Sequence, residues 1–220
     1  MLILAIETTG RNGSIALVRD GVTLALDAIS GGTYSAKLIP LISVMLTRAG
    51  VRPQDIDAYA AASGPGSFTG LRVGLSTIKG LAEVMPRPIV AVSMLEAIAC
   101  ASGHQGRILA ALDAQRHQVF LGEYERARED ISRHSESLLT EAEFEAAMRG
   151  AGNARVVTPD ASVATLLLQA GIPFQQIPAP QADVVAQIAV GKVKRGQIVS
   201  PEALDANYIR RSDAEIFARK

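Results

Sequence analysis

The sequence predicts an α/β protein of two duplicated lobes, and three observations carry that prediction. Short, continuous apolar runs alternate with longer segments of helical periodicity, the pattern of strands and helices packed in layers. The opening run Ile3-Leu4-Ala5-Ile6 ends on Glu7 and leads through a polar turn into a second strand. Ile108-Leu109-Ala110, followed by an apolar pair and Asp113, starts the same pattern about a hundred residues later. At 220 residues the chain is also long for one compact domain. The echo alone is equally compatible with two unrelated strands, since apolar strands resemble one another. The expected division is 1–103 and 104–220, across Ser102-Gly103-His104-Gln105-Gly106, with the last helix free to pack back on the first lobe.

Composition narrows the function classes. With 48% hydrophobic and 20% charged residues the chain can bury a core, which must be aliphatic because Trp is absent and aromatics reach only 4%. Lys+Arg and Asp+Glu balance at 22 each, so the chain lacks the basic footprint of a protein that grips nucleic acid unaided. Cys100 is the single cysteine and sits in an apolar run, which fits a small buried thiol and no disulfide. The apolar N-terminal run stops at Glu7, far too short for a signal or membrane segment, and the chain is expected in the cytoplasm.

Taken in order, Leu2 to Ile6, Ser14 to Val18 and Val22 to Ile29 read as a β-meander. Thr33 or Ser35 can cap a helix running to Arg48, where Gly50 stops it; Pro40 fits only an early turn or a kink. A strand over Ile56–Ala62 leads into a glycine-rich stretch and a helix over roughly Leu71–Met85. Strand Ile89–Val92 and helix Met94–Ser102 follow, then strands near Arg107 and over Val119–Tyr124. Glu125 to Glu145 reads as charged and mostly exposed. Val156–Thr158 is a strand, Val163–Ala170 a helix, and Ala182–Lys194 a helix after a loop marked by Pro173, Pro178 and Pro180. Tyr208-Ile209-Arg210-Arg211 closes as a polar helix or extended tail.

An acidic residue at the end of the first strand of a hairpin is the form found in sugar and acetate kinases, actin and Hsp70. There the carboxylate holds a metal-bound nucleotide and turn N–H groups receive phosphate. Glu7-Thr8-Thr9, with Gly10 and Gly13 nearby, admits that reading, and equally an ordinary hairpin whose hydroxyls satisfy backbone groups. The second turn, Asp113-Ala114-Gln115-Arg116, lacks glycine and sets Arg116 and His117 where backbone must come close. A two-sided nucleotide clamp therefore looks impaired.

Gly64-Pro65-Gly66-Ser67-Phe68-Thr69-Gly70-Leu71-Arg72-Val73-Gly74 follows a strand and opens a helix, as anion-binding loops do. It is no Walker A loop, because Lys79 is too far from the glycines and precedes Gly80 rather than Ser or Thr. Nor is it a nucleophile elbow, since Pro65 stands where that pattern needs glycine. Close approach of another helix to Gly70, Gly74 and Gly80 is the expectation. The helix before it is apolar around more than the stripe, about 100° wide, that a surface helix needs. Its surplus suggests a partner, although burial in its own domain would also account for it. His104, His117 and His134 lack metal-ligand spacing, and no Ser or Cys has the context of an activated nucleophile.

The run Ser63–Gly74 with Lys79-Gly80-Leu81-Ala82 resembles the signature of the TsaB (YeaZ) family. Ile3-Leu4-Ala5-Ile6-Glu7-Thr8, Ser35-Ala36-Lys37-Leu38-Ile39-Pro40-Leu41-Ile42, Leu112-Asp113-Ala114 and Tyr208-Ile209-Arg210 fit it as well, in family order. The resemblance implies a two-lobed fold of the acetate kinase/Hsp70/actin type, ribonuclease H-like. It further implies a non-catalytic partner of TsaD, the metal-dependent subunit that moves the threonylcarbamoyl group onto N6 of adenosine 37 in tRNAs reading ANN codons. TsaE, an ATPase, joins the complex, TsaC makes the threonylcarbamoyl-adenylate, and tRNA is met only through the complex. The implied partner surface is the two helices, here Leu38, Leu41, Ile42, Met45, Gly70, Gly74, Leu75, Ile78 and Leu81, which also pair in a homodimer. Glu7, Thr8, Thr9 and Asp113 would be a remnant nucleotide site, with no metal, and ATP or ADP would bind only at an interface with partners. Two departures stand out: Tyr34 where the family commonly has His, and Glu7 where it favours Asp. Competing readings are a small ATP-binding kinase or ATPase using Glu7 and Asp113, and a glycoprotease of the M22 type.

Overall fold

The computed structural model describes residues 1–30, 34–128 and 130–210. They form two compact units, Met1–Ala97 with Pro180–Ala206, and Ile98–Ala179 with the chain from Asn207. The border expected at 103/104 thus lies at 97/98, and residues 180–206 pass to the first unit. Ser102–Gly106 misled because its polar, glycine-bearing composition ends a helix, α3 (Met94–Ala101), with Gly103 in the left-handed region, rather than separating the units.

In the first unit, β1 (Leu2–Glu7), β2 (Gly13–Arg19), β3 (Val22–Ile29), β4 (Ala58–Gly64) and β5 (Ile89–Ser93) form one sheet in the order β3-β2-β1-β4-β5. Asp20 and Gly21, both at positive φ, close the β2–β3 hairpin, the Asp-Gly pairing whose twist suits adjacent strands. β1 pairs antiparallel with β2 and parallel with β4. It is buried along its whole length, which is why it reads as a continuous apolar run. On one face, Leu4, Ile6, Ile15, Leu17 and Tyr59 pack with Leu38, Ile42 and Met45 of α1 (Tyr34–Arg48) and Leu75 and Ile78 of α2 (Phe68–Val84). Ile3, Ala5, Ala16 and Val18, equally buried, occupy the alternate positions beneath α6 (Ala182–Lys194), whose Ala182 N–H donates to Ser14 Oγ at 2.9 Å. Lys192 and Glu96 pair at 2.6 Å, and Lys192 also donates to the Ala91 carbonyl, fastening α6 to this unit.

The second unit repeats the topology. β6 (Gly106–Asp113), β7 (Gln118–Ala127), β8 (Asp130–Thr140), β9 (Arg155–Thr158) and β10 (Gln175–Gln176) are ordered β10-β9-β6-β7-β8, the same arrangement read from the other edge. β6 pairs antiparallel with β7 and parallel with β9, as β1 does with β2 and β4. Helices α4 (Glu141–Arg149) and α5 (Ala161–Gln169) cover one face through Phe144, Met148, Val163 and Leu167. The duplication suggested by two acidic strands is thus a duplication of whole βββαβαβ units.

Glu125–Glu145 is mostly exposed, as expected, and it holds the end of β7, the long edge strand β8 and the start of α4, for which no element was read. β8 has little apolar alternation because one of its edges pairs only with β7. α4 was legible in principle: Thr140 and Glu143 form a reciprocal capping box. Pro40 lies inside α1, on its exposed side, and Ser35 falls within the helix; Thr33 and Arg211 lie outside the described residues. Tyr208–Arg210 are extended or bent rather than helical. Among the described residues no helix is long and apolar enough to cross a membrane.

Candidate functional site

The glycine-rich block wraps the first acidic turn of its own unit. Ser67 caps α2, its hydroxyl accepting from the Gly70 N–H at 3.3 Å, while its own N–H donates to the Thr9 carbonyl at 2.7 Å. Thr8 Oγ1 donates to the Gly70 carbonyl at 2.8 Å. A β-carbon on Gly66 would lie 2.6 Å from the Thr9 carbonyl oxygen; on Gly70 or Gly74 it would overlap the Thr8 carbonyl or hydroxyl oxygen. These glycines admit a turn, not another helix. That corrects the expectation for Gly70 and Gly74, and its cause is that the β1–β2 turn reaches α2 first. Gly80 is different: it is exposed, and nothing lies within 4 Å of where its β-carbon would be.

Glu7 sits at the bottom of this nest, buried, accepting from the Thr9 N–H at 2.6 Å and from Thr9 Oγ1 at 2.5 Å. Burial pushes its carboxyl above the ordinary 4.5, while the Thr9 hydroxyl and the N–H groups of Thr9 and Gly10 pull the other way. Tyr34, the departure at the head of α1, donates to the Gly10 carbonyl at 2.9 Å. A β-carbon on Gly13 would stand 2.8 Å from its ring, so Tyr34 closes the turn from the α1 side. Burial and the neighbouring Glu7 raise the Tyr34 hydroxyl pKa. Its part in the site was missed because aromatic closure of a turn leaves no local spacing to read.

The second acidic turn is sealed by different groups. Asp113 Oδ1 accepts from the Gln115 N–H at 2.7 Å, and Oδ2 from Gln115 Nε2 at 2.9 Å and from Ser162 Oγ at 3.1 Å. Its own N–H donates to Asp160 Oδ2 at 2.7 Å. Burial lifts the Asp160 carboxyl; the Asp113 N–H opposes that and the Asp113 charge adds to it. Gln115, Arg116 and His117 run consecutively at φ 59°, 57° and 58°. Non-glycine residues hold that conformation at a cost of about 1–2 kcal/mol each. Arg210 Nη2 donates to the Gln115 carbonyl at 3.3 Å and to the Gln118 side chain, with its guanidinium 5.8 Å from the Phe120 ring. Asp160, Ser162 and Arg210 were also missed, being brought in by the sheet order rather than by neighbouring sequence.

The expected partner face needs correction too. Leu38, Ile42, Met45, Leu75 and Ile78 are buried in the unit's own core, as are Gly70 and Gly74, and Leu41 and Leu81 are half-buried against it. The apolar surplus of α1 feeds its own sheet and α2. What those helices expose includes Ile39 at 52% and Val44 at 58%, with Pro40 and Ser43 beside them on α1, and Ser76, Gly80 and, at its end, Val84 on α2. At the head of α2, Arg72 stacks 3.8 Å over the half-exposed Phe68 ring. Among the described residues no group of three or more His, Cys, Asp or Glu could hold a metal.

The model of the family described as "TsaD: tRNA N6-adenosine threonylcarbamoyltransferase" matches residues 29–153, more than half of the chain. The Escherichia coli (strain K12) tRNA threonylcarbamoyladenosine biosynthesis protein TsaB is 36% identical over 134 residues, 60% of this chain and 58% of that protein. The match therefore spans less than two thirds of that relative's length. The structure of YeaZ from Pseudomonas aeruginosa superposes with a TM-score of 0.76 at 25% identity, covering 94% of this chain and 99% of that one. Component A of (R)-2-hydroxyglutaryl-CoA dehydratase from Acidaminococcus fermentans, at TM-score 0.52 and 12% identity over 90% of this chain and 99% of that one, shares the fold alone. Together with the repeated sheet order, these likenesses bear out the duplicated acetate kinase/Hsp70/actin-type fold. The chain belongs to the TsaD family of tRNA N6-adenosine threonylcarbamoyltransferases and, within it, to the TsaB/YeaZ group.

Proposed function

We propose that the chain is a non-catalytic subunit of tRNA N6-threonylcarbamoyladenosine synthesis in the cytoplasm, docking on and activating a TsaD-type transferase through the exposed face of α1 and α2. The observation that carries this reading is the contrast between the sealed acidic turns and the open helix face. Glu7 and Asp113 are hydrogen-bonded by their own chain, Thr9 on one side and Gln115 with Ser162 on the other. Ile39 and Val44 are exposed apolar side chains on a helix whose neighbour carries Gly80, a helix-interior glycine that nothing in its own unit requires. Glycine there costs about 1 kcal/mol relative to alanine, and close approach of a partner would offset it.

On this reading TsaE and tRNA join through the transferase, and any nucleotide binds where subunits meet. Co-purification of the full chain with tagged TsaD tests the docking face. Val44→Asp should abolish recovery while leaving the thermal unfolding midpoint unchanged. Recovery of that variant at wild-type yield would remove the assignment. The kinase reading is tested apart from this, by calorimetric titration of the isolated chain with Mg-ATP. Tight binding lost in Glu7→Ala would favour it.

A further inference from the structure

In the second unit an open groove of about 340 Å³ runs between α4 and α5. Its floor is apolar: Phe144 comes from α4, and Leu166, Ala170 and Ile172 come from α5 and the turn after it, the last three only half-buried. Its rim is acidic. Glu141 and Glu145 line it, and among the described residues that do so none is basic. Each carboxylate has a neighbour that is not a lining residue, His117 Nδ1 at 3.2 Å from Glu141 and Arg149 beside Glu145. Both also face solvent, with side chains 41% and 47% exposed, so each can accept a second donor. The balance around the groove is negative, because α4 sets Glu141, Glu143 and Glu145 against Arg149 and α5 carries no charge.

The same chain carries a segment of matching chemistry. Residues 211–220 lie outside the described residues; their sequence sets one apolar pair, Ile216-Phe217, just ahead of one basic pair, Arg219-Lys220. The segment leaves from a fixed point. Arg210 donates to the Gln115 carbonyl and the Gln118 side chain, and the same turn holds the start of α4, where the Glu141 N–H donates to the His117 carbonyl at 3.2 Å. Phe120, beneath Arg210, alternates with Val119 and Leu121 of the helix-covered core, so the segment must round the end of the sheet to reach the groove. Reach allows it. Ile216 and Phe217 can stand about 20–25 Å beyond Arg210, against about 10 Å for one layer and about 13 Å for the whole of α4. We propose that residues 211–220 fold back across this groove, seating Ile216 and Phe217 on its floor and setting Arg219 and Lys220 against Glu141 and Glu145. Groove and segment both belong to the second unit, so the proposal stands apart from the Ile39/Val44 face of the first.

The chain has no tryptophan, so Phe217→Trp in the full chain reports on that position alone. Its emission should be blue-shifted from that of free tryptophan, shielded from acrylamide and independent of protein concentration. Adding Leu166→Lys, which sets a charge on the floor, should return the emission to the free value with the thermal unfolding midpoint kept. Cross-linking reads the seat directly. In a Cys100→Ser background, Ala142→Cys/Ala218→Cys should close an intramolecular disulfide on mild oxidation at least about tenfold faster than Ala147→Cys/Ala218→Cys. Ala142 lines the groove, whereas Ala147 is exposed on α4 and does not. Emission of free tryptophan in the single variant overturns the proposal, and so does equal closure from Ala142 and Ala147. A blue shift that Leu166→Lys leaves in place would seat residue 217 elsewhere. Disulfides that link two molecules would give the groove to a second copy's segment, and either result overturns the proposal as well.

Discussion

Gly70 and Gly74 lie in a helix interior, where glycine is a poor choice, and the reason is the turn that presses against them. Gly74→Ala would drive a methyl group into the Thr8 hydroxyl, a backbone-anchored clash costing about 1–3 kcal/mol. Gly80→Ala meets nothing and should stabilise the isolated chain by about 1 kcal/mol while weakening recovery of TsaD. Urea unfolding of both variants checks the pair; effects of opposite sign are expected, and two neutral results would contradict the packing account. Glu7 gives a pH signature at the same site. Its carboxyl is raised on folding, so the folded chain holds the proton more tightly than the unfolded one. The stability this brings is present below 4.5 and is lost as pH rises through the folded value. Glu7→Gln keeps an acceptor toward Thr9 and removes that loss. From acid to neutrality, the wild-type denaturation midpoint should therefore fall relative to Glu7→Gln, and parallel curves would contradict the buried acid's role.

Elements were legible where periodicity carried them. β1 and α6 fall where the apolar pattern predicts, because a strand buried on both faces and a helix packed against a sheet leave strong signals, and β3 falls where its apolar residues follow the Asp20-Gly21 turn. β8 and β10 were not legible, since an edge strand needs apolar residues on at most one side and β10 is held by Gln175 and Gln176 alone. For α4 the signal was local and chemical: Thr140 bonds the Glu143 N–H, and Glu143 returns to the Thr140 N–H and hydroxyl, which holds its carboxyl below the ordinary range. Thr140→Ala should cost about 1 kcal/mol by thermal melts, Glu143→Ala should also lower the midpoint, and the double variant should lose less than the sum. The glycine-rich stretch shows the limit of spacing. It marks a close approach without saying what approaches, and the turn of β1–β2 arrives only through the sheet order that sets β1 beside β4.

At the scale of the molecule, duplication explains both the resemblance to nucleotide-binding enzymes and the departure from them. Each unit sets an acid at the end of its first strand, and each places the helix after its fourth strand against that turn, α2 through Ser67 and α5 through Asp160. In this chain both contacts satisfy the turn internally, and the open chemistry left over is the apolar helix face. On the proposed function the turns are structural and the helix face is functional. Reconstituted threonylcarbamoyl transfer to tRNA, with TsaD, TsaE and TsaC supplied and this chain varied, tests it most directly. Glu7→Gln and Asp113→Asn should support transfer at close to the wild-type rate, and Val44→Asp should reduce it to the level seen without the chain. Loss of transfer in Glu7→Gln or Asp113→Asn, with full transfer in Val44→Asp, would contradict the account.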